Sequence, residues 1–266
     1  MIVYPNAKIN LGLNVVERRP DGYHNLESVF FPVEICDMLE IIELGEGEGD
    51  YEWRCEGLSV ECDPEKNICI KAFRLLQKEF SLPRLGFYLY KKIPMGAGMG
   101  GGSADGAFVL KTLNQMFELG LSRGRLEKLA AQIGADCAFF IENEPAYASG
   151  IGDELEPFDV DLKGRCLVVY KPEVHVSTAE AYKGIEPKKA QENVRDILRR
   201  PIEEWKHRLV NDFEYSVFKN HPEIKAVKDM MYERGAIYAS MSGSGSAVYG
   251  IFDEEVTIEG GITLKL

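Results

Sequence analysis

The segment that most restricts the fold of this chain is a run of glycines, Gly96 to Gly102, between a predicted strand and a predicted helix. Glycine adopts positive φ angles and lets the backbone approach a ligand closely, at a cost in conformational entropy. The helix that follows offers free N–H groups and the positive end of its dipole. The segment therefore predicts a site for a di- or triphosphate, with Ser103 as the N-cap of the helix.

Two familiar phosphate loops do not fit this segment. No Gly-Lys-Ser/Thr follows the glycines, so it is not a Walker A loop. The dinucleotide fingerprint would follow the first strand of a βαβ unit, and this segment does not. The remaining alternative is a loop that only packs a helix tightly. Six glycines within the eleven residues 96–106 make that alternative the weaker one, because such a loop is costly without a ligand.

Strand and helix patterns both occur along the 266 residues, which predicts an α+β protein. In the first strand the apolar residues from Ile9 to Val15 fall on one face, and Lys8 and Asn10 fall on the other. Helical spacing begins after Asn67, which is placed to cap a helix. The length allows two domains, and we place the boundary between residues 158 and 159, giving domains 1–158 and 159–266.

Composition excludes several classes of function. The net charge of -12 argues against nucleic-acid binding, which favours a basic face. No apolar run approaches the length of a membrane span, and the chain begins without the pattern of a secretory signal. The six cysteines, Cys62 among them, show no zinc-ligand spacing, so we expect buried thiols in a cytoplasmic protein. The sequence does not indicate an oligomeric state.

Three segments, in order, carry a family resemblance. They are Pro5-Asn-Ala-Lys-Ile-Asn-Leu-Gly-Leu13, the glycine-rich Pro94–Asp105, and Met241-Ser-Gly-Ser-Gly-Ser-Ala-Val-Tyr249. Together they resemble the three signature motifs of the GHMP kinases, which phosphorylate small molecules. The resemblance covers nearly the whole chain. Met99 stands where leucine is commoner, and Cys137-Ala138 replaces a more usual Val-Pro, but neither departure removes a functional group.

The resemblance implies a fold and a phosphoryl donor. The fold is the two-domain GHMP arrangement, with a ribosomal-protein-S5-like N-terminal domain, a ferredoxin-like C-terminal domain and the active site in the cleft between them. The donor is ATP with Mg²⁺, for which Ser103 is a candidate ligand. The implied ATP-binding residues are Asn67, Pro94, Met95, Gly96, Ala97, Gly98, Met99, Gly100, Gly101, Gly102, Ser103 and Ala104.

The resemblance also implies catalytic roles. Asp136 takes the proton from the acceptor hydroxyl, Lys8 stabilises the developing negative charge, and Asn10 orients the substrate. Simpler alternatives exist for each of these residues. Lys8 taken alone is typical of a solvated strand face, and Asp136 is placed to cap the segment after it. The third motif is equally consistent with a plain hairpin turn and with packing beside the phosphate loop.

The segment Asp21-Gly-Tyr-His24 resembles one branch of the family, as does Ile133–Phe140. Members of that branch phosphorylate the 2-hydroxyl of a methylerythritol derivative that carries a cytidine diphosphate, on the non-mevalonate route to isoprenoid precursors. The resemblance implies that Tyr23 and His24 hold the cytosine by stacking and hydrogen bonds. The other implied substrate contacts are Phe30, Thr178 and Tyr182.

Two alternatives remain open at the level of sequence. A GHMP kinase for another small alcohol, such as homoserine or a mevalonate derivative, has no need of a cytosine-binding pair. A catalytically silent GHMP fold that serves as a binding module has no need of Lys8, Asp136 and the complete glycine loop together.

Overall fold

The protein is described by a computed structural model that covers residues 1–58 and 63–266. Its strands there are β1 (Ile2–Val3), β2 (Asn6–Arg18), β3 (His24–Cys36), β4 (Met38–Glu43), β5 (Tyr51–Gly57), β6 (Leu85–Lys91), β7 (Ala146–Ser149), β8 (Glu154–Pro157), β9 (Cys166–Tyr170), β10 (Tyr238–Met241), β11 (Val248–Phe252) and β12 (Ile262–Lys265).

The α-helices in the same ranges are α1 (Ile68–Gln77), α2 (Gly101–Met116), α3 (Arg123–Ala130), α4 (Phe139–Glu142), α5 (Thr178–Lys183), α6 (Val194–Leu198), α7 (Phe213–Asn220) and α8 (Pro222–Glu233). Short 3₁₀ turns occupy Pro64–Lys66, Ala135–Cys137 and Ile202–His207. Helices α1 and α2 lie where the sequence predicted them, whereas α7 and the short strands β7, β8 and β12 were not predicted.

The chain divides into two compact units that interleave along the sequence. The first unit comprises Met1–Ala7, Pro32–Pro94 and Gly100–Glu144. The second comprises Lys8–Phe31, Met95–Met99 and Pro145–Leu266. Because each unit consists of three separate segments, no single position in the chain divides them. The boundary between residues 158 and 159 stays a prediction.

The first unit contains the mixed sheet β1-β4-β6-β5, in which β5 pairs with β6 in parallel and the other pairs are antiparallel. Helices α1 and α2 pack together beside it, and the rings of Phe73 and Phe87 lie 5.2 Å apart in its core. Asn67 is the N-cap of α1, as predicted, and its side chain accepts a hydrogen bond from the Cys69 N–H at 2.8 Å. This cap fixes where the first helix begins.

The second unit contains the antiparallel sheet β10-β11-β9-β12, with α8 packed against β11. Strands β10 and β11 form a hairpin, and the third motif supplies the turn between them. A further sheet has the order β2-β3-β7-β8. Strand β2 is buried from Asn6 through Val15, on both faces, so the alternative of a solvated Lys8 is wrong.

The free thiols fit the expected pattern only in part. Cys69, Cys137 and Cys166 are buried, and Cys36 and Cys55 are half-buried. Cys62 lies outside the described residues. Across residues 1–58 and 63–266, every helix is too short or too polar to cross a bilayer.

Candidate functional site

A chain of buried polar side chains begins at Lys8 on strand β2. The Lys8 Nζ donates a hydrogen bond to the Asn10 Oδ1. The Asn10 Nδ2 then donates to the Ser28 Oγ at 2.8 Å, and that hydroxyl donates to the Gly12 carbonyl at 2.6 Å. All three side chains are at most 3% exposed. The chain sets the orientation of the Asn10 amide and brings Lys8 and Asn10, predicted to share one face of the strand, into direct contact.

The ammonium group of Lys8 also lies against an aromatic ring. Its Nζ is 4.5 Å from the centroid of Phe30, a predicted substrate neighbour. A cation over a ring face is stabilised by the ring quadrupole, which offsets part of the cost of burying the charge. The Lys8 backbone N–H donates to the Met99 carbonyl at 2.9 Å, so the glycine-rich loop is attached to the same strand.

The stretch Met95–Met99 of the loop packs against the third motif. The Ser242 Oγ donates to the Gly98 carbonyl at 2.8 Å, and the Ala247 N–H donates to the Ala97 carbonyl at 3.2 Å. Gly98 has φ +74°, and a Cβ there would lie 1.8 Å from the Ser242 carbonyl oxygen. Only glycine satisfies both constraints. The third motif is therefore more than a hairpin turn, because it forms the support of the loop.

The other half of the loop leads into α2. The N-cap is Gly100, in the left-handed region at φ 69°, and Ser103 lies inside the first turn of the helix. The prediction of Ser103 as N-cap was therefore wrong, because glycine takes the left-handed cap conformation without strain. A Cβ at Gly102 would meet none of the described atoms within 4 Å, so the start of the helix faces open space suited to a phosphate.

Asp136 lies in the 3₁₀ turn Ala135–Cys137 and is half-buried. The N-cap of α4 is Ala138, so the alternative that Asp136 caps the following segment is wrong. The neighbouring Cys137 is buried, and burial raises the pKa of its thiol to about 12. The thiol is therefore protonated at neutral pH and acts as a packing group beside the candidate base.

Lys91, Asp37 and Asp105 form a buried ionic triad in the first unit. This triad was not predicted from the sequence. The Lys91 Nζ donates to an Oδ2 of Asp37 and, at 2.6 Å, to the Oδ2 of Asp105 in α2. The Asp37 Oδ1 accepts from the N–H groups of Lys92 at 2.6 Å and Ile93 at 2.8 Å. The triad thus fixes the end of β6, where the chain enters the loop, and the first two turns of α2.

The two carboxyl groups of the triad differ in their partners. Asp37 has three hydrogen-bond donors, whereas the Asp105 Oδ1 is buried and has no hydrogen-bond partner within residues 1–58 and 63–266. Burial raises the pKa of Asp105 to about 7, against the opposing effect of Lys91 and with a further contribution from the charge of Asp37. Asp105 is therefore the carboxyl group of the triad that takes up a proton as the pH falls below about 7.

The predicted cytosine-binding residues lie at and near the β2–β3 turn. Tyr23 follows the predicted turn at Asp21-Gly22 and is 61% exposed. The ring of His24 stacks on Tyr182 of α5, with centroids 4.8 Å apart and an interplanar angle of 23°. The rings of Phe213 and Tyr182 are nearly perpendicular, with centroids 4.8 Å apart and an interplanar angle of 83°. Two of the predicted residues are thus in direct contact, and Phe213, for which no role was predicted, supports the pair.

The His24 imidazole is neutral at physiological pH. Burial lowers its pKa, and the nearby charge of Arg18 lowers it further. A neutral ring has one donor and one acceptor nitrogen, which suits the edge of a base. Thr178, also predicted as a substrate contact, is exposed, and its Oγ1 lies 3.3 Å from the Ser244 Oγ of the third motif.

Comparison with known proteins gives consistent matches. The profile of the GHMP kinases N terminal domain matches residues 67–144, and that of the GHMP kinases C terminal domain matches residues 188–259. A Bacteroides fragilis protein named 4-diphosphocytidyl-2-C-methyl-D-erythritol kinase is 52% identical over 97% of this chain and 94% of its own length. A protein of the same name from Cytophaga hutchinsonii is 46% identical over 95% of this chain and 93% of its own.

Solved structures give the same answer for the fold. A crystal structure of 4-(cytidine 5'-diphospho)-2C-methyl-D-erythritol kinase has a TM-score of 0.81 at 32% identity, covering 94% of this chain and 90% of that one. The homoserine kinase of Cytophaga hutchinsonii has a TM-score of 0.69 at 17% identity, covering 94% and 86%. At that identity the second match concerns the fold alone.

Two glycine substitutions test two different roles within the loop. Gly98 packs against the third motif, and Gly102 faces the proposed phosphate site. We expect Gly98→Ala to lower both thermal stability and ATP affinity, because its methyl group collides with the Ser242 carbonyl. Gly102→Ala is expected to raise stability by about 0.5–1 kcal/mol, since alanine is the better helix residue. The same methyl group occupies the space in front of α2, so the ATP affinity should fall. Calorimetry and nucleotide titration measure both quantities, and unchanged ATP affinity in Gly102→Ala would contradict the phosphate site.

The Asp105 carboxyl makes stability depend on pH. An unfolded aspartate releases its proton near the ordinary pKa of 3.8, whereas folded Asp105 releases it near 7. The folded chain therefore holds the extra proton between these values, and this contribution to stability is lost as the pH rises toward 7. We expect Asp105→Asn to remove this part of the pH dependence and to stabilise the protein at pH 8 by about 1–3 kcal/mol. Denaturant unfolding from pH 5 to 8 tests this, with Asp37→Asn as a destabilised comparison at every pH.

Proposed function

The chain belongs to the GHMP kinases, and on this premise we propose that it transfers the γ-phosphoryl group of ATP to the 2-hydroxyl of 4-diphosphocytidyl-2-C-methyl-D-erythritol. The sequence prediction of an α+β two-domain GHMP kinase is confirmed, and the protein is an ATP-dependent kinase. The Bacteroides fragilis and Cytophaga hutchinsonii relatives are named as kinases of this substrate. The reaction belongs to the non-mevalonate route to isoprenoid precursors.

The observation that carries the choice of substrate is the stacked pair of His24 and Tyr182. A flat, half-buried aromatic face with a neutral imidazole nitrogen is suited to a nucleobase, through stacking and hydrogen bonding to its edge. Homoserine and mevalonate carry no base and would leave this face unused. Tyr23, Phe30 and Thr178 complete the proposed contacts, with Phe30 beside Lys8 and Thr178 beside the third motif.

For the chemical step we propose three roles. Asp136 accepts the proton of the 2-hydroxyl as general base. Lys8 stabilises the negative charge that develops on the reacting oxygens, and its burial strengthens that effect because few water dipoles compete. Asn10 holds the lysine ammonium in place through its Oδ1 and orients the substrate. Phosphoryl transfer depends mainly on such positioning and charge neutralisation.

For the nucleotide we propose that the glycine-rich loop and the start of α2 hold the phosphates, with Asn67 and Pro94 through Ala104 as the binding segment. Across residues 1–58 and 63–266, no three His, Cys, Asp or Glu side chains are grouped as metal ligands. Mg²⁺ suits such a site, since it usually keeps several waters and takes most other ligands from the nucleotide phosphates. Ser103, in the first turn of α2, is the proposed protein ligand. The ion would neutralise phosphate charge.

We also propose a cytoplasmic location for the protein. The buried free thiols of Cys69, Cys137 and Cys166 are suited to a reducing compartment. The proposed substrates are intracellular nucleotides, which supports the same placement.

The reaction is tested by measuring ADP formation with the cytidyl substrate and, in parallel, with homoserine and mevalonate. We expect turnover with the cytidyl substrate alone. We expect Asp136→Asn to lower kcat by about 10²–10⁴-fold and Lys8→Met by about 10²–10³-fold, because each removes a group that acts in the transition state. Methionine keeps most of the buried volume of lysine.

Two exposed residues serve as matched controls for these variants. Asp161→Asn and Lys128→Met make the same chemical changes at the surface, and each should retain the activity of the unmodified protein. Full turnover in a folded Asp136→Asn or Lys8→Met protein would refute the assigned roles. Turnover with homoserine or mevalonate would identify another small alcohol as the substrate, and no turnover with any acceptor would favour a silent binding module.

The cytosine contact is tested separately at the aromatic pair. We expect His24→Ala to raise the KM for the cytidyl substrate about tenfold, the value of one base–aromatic stack, and to leave the KM for ATP unchanged. Tyr215→Ala is the control, since it removes a tyrosine that is 83% exposed on α7. Steady-state kinetics in both substrates measure the effect, and an unchanged KM for the cytidyl substrate would count against the proposed contact.

A further inference from the structure

The segment Leu209–Phe213, between a 3₁₀ turn and α7, lies alongside strand β2. The Leu13 N–H donates to the Val210 carbonyl, and the Asp212 N–H donates to the Leu13 carbonyl, both at 2.8 Å. The Asp212 Oδ2 accepts from the Val15 N–H at 2.7 Å. These bonds fix the segment on the same strand that carries Lys8 and Asn10.

Asn211, at the centre of this segment, is 3% exposed and uses both hydrogens and the oxygen of its side-chain amide. Its Nδ2 donates to the carbonyls of Met241 and Gly243, both at 2.8 Å. Its Oδ1 accepts from the Phe213 N–H at 3.0 Å. The two carbonyls flank Ser242, so one side chain fixes the point where the third motif leaves β10.

The turn held by Asn211 has little freedom to move. A Cβ at Gly243 would lie 3.2 Å from the Gly98 Cα and 3.3 Å from the Asn10 Oδ1. The Ser242 Oγ bonds the Gly98 carbonyl. A displacement of the turn would therefore move the glycine-rich loop and disturb the partner of Lys8.

The other bond of Asn211 leads toward the proposed cytosine contact. Its Oδ1 fixes the first N–H of α7, which belongs to Phe213. The Phe213 ring supports Tyr182 edge-on, and Tyr182 stacks on His24. The amide of Asn211 is thus joined to the loop support on one side and to the aromatic pair on the other.

We propose that Asn211 is a positioning residue that holds the third motif against the Met95–Met99 half of the phosphate loop. Asn211 has a second role, which is to support the contacts of Phe213 with Tyr182 and of Tyr182 with His24. This second role rests on the proposed function. Asn211 itself touches neither reacting group, and it acts through Gly243 and Ser242.

The test is the affinity of the complete protein for ADP, measured by titration calorimetry, because this binding needs no acceptor substrate. We expect Asn211→Asp, in which a carboxylate faces two carbonyls, to weaken ADP binding about three- to thirtyfold. The aspartate retains an acceptor for the Phe213 N–H, so the KM for the cytidyl substrate should change far less. A KM effect confined to ATP is not expected from a loss of stability alone.

Two further variants keep the test decisive if Asn211→Asp does not fold. Asn211→Ala removes the amide without adding a charge, and Ser242→Ala removes the turn's own bond to Gly98. Because both act through one contact, their effects on ADP affinity should be less than additive in the double variant. Thr263→Val is the control, since it removes a hydroxyl that bonds the Val256 carbonyl at 2.9 Å on β12, at the opposite edge of the sheet from β10.

Normal ADP affinity in folded Asn211→Ala, or additive losses in the double variant, would overturn the proposal. Weak ADP binding with non-additive losses supports it, whichever alcohol the enzyme phosphorylates. The turnover of the unmodified protein with the cytidyl substrate decides the proposed function independently of these results.

Discussion

Strand β2 imposes the constraint on which the rest of the candidate site depends. It is buried on both faces and yet carries polar side chains, so each polar group must find a partner within the protein. Lys8 is satisfied through Asn10 and the Phe30 ring, and the Asn10 carbonyl accepts from the buried Tyr249 hydroxyl at 2.7 Å. The backbone of the same strand bonds Met99 of the loop. The hydrogen bonds that pair the buried polar groups of β2 therefore also position the loop and the third motif.

Features that depend on local spacing were predictable from the sequence. The cap at Asn67 and the turn at Asp21-Gly22 each depend on residues that are near neighbours in the chain. Each of the three motifs is likewise a short continuous segment. The glycine-rich loop was placed correctly between a strand and a helix for the same reason, although the N-cap of that helix was wrongly assigned to Ser103. A serine before a helix normally caps it, but here the left-handed Gly100 takes that position and leaves the hydroxyl inside the first turn.

Features that depend on distant pairing were not predictable in the same way. Lys91 is 54 residues from Asp37 and 14 residues from Asp105 in the chain. A charged residue seen singly is most simply interpreted as solvated. In the sequence, Asn211 cannot be distinguished from any other loop asparagine. Its partners, the carbonyls of Met241 and Gly243, lie 30 and 32 residues further along the chain and come close only in the fold. Burial of such groups is stable only when the partners assemble, and that assembly is a property of the fold rather than of a short pattern.

The interleaving of the two compact units has a consequence for how this protein can be divided. A gene cut after residue 158 would give a C-terminal product that lacks Lys8–Phe31 and Met95–Met99, which belong to the second unit. The N-terminal product would carry those segments without the rest of their unit. Neither half could be exchanged with another protein as a self-contained module, so shuffling of halves is a poor route to new specificity. Variation in this architecture is instead expected through point substitution and through insertions at exposed turns.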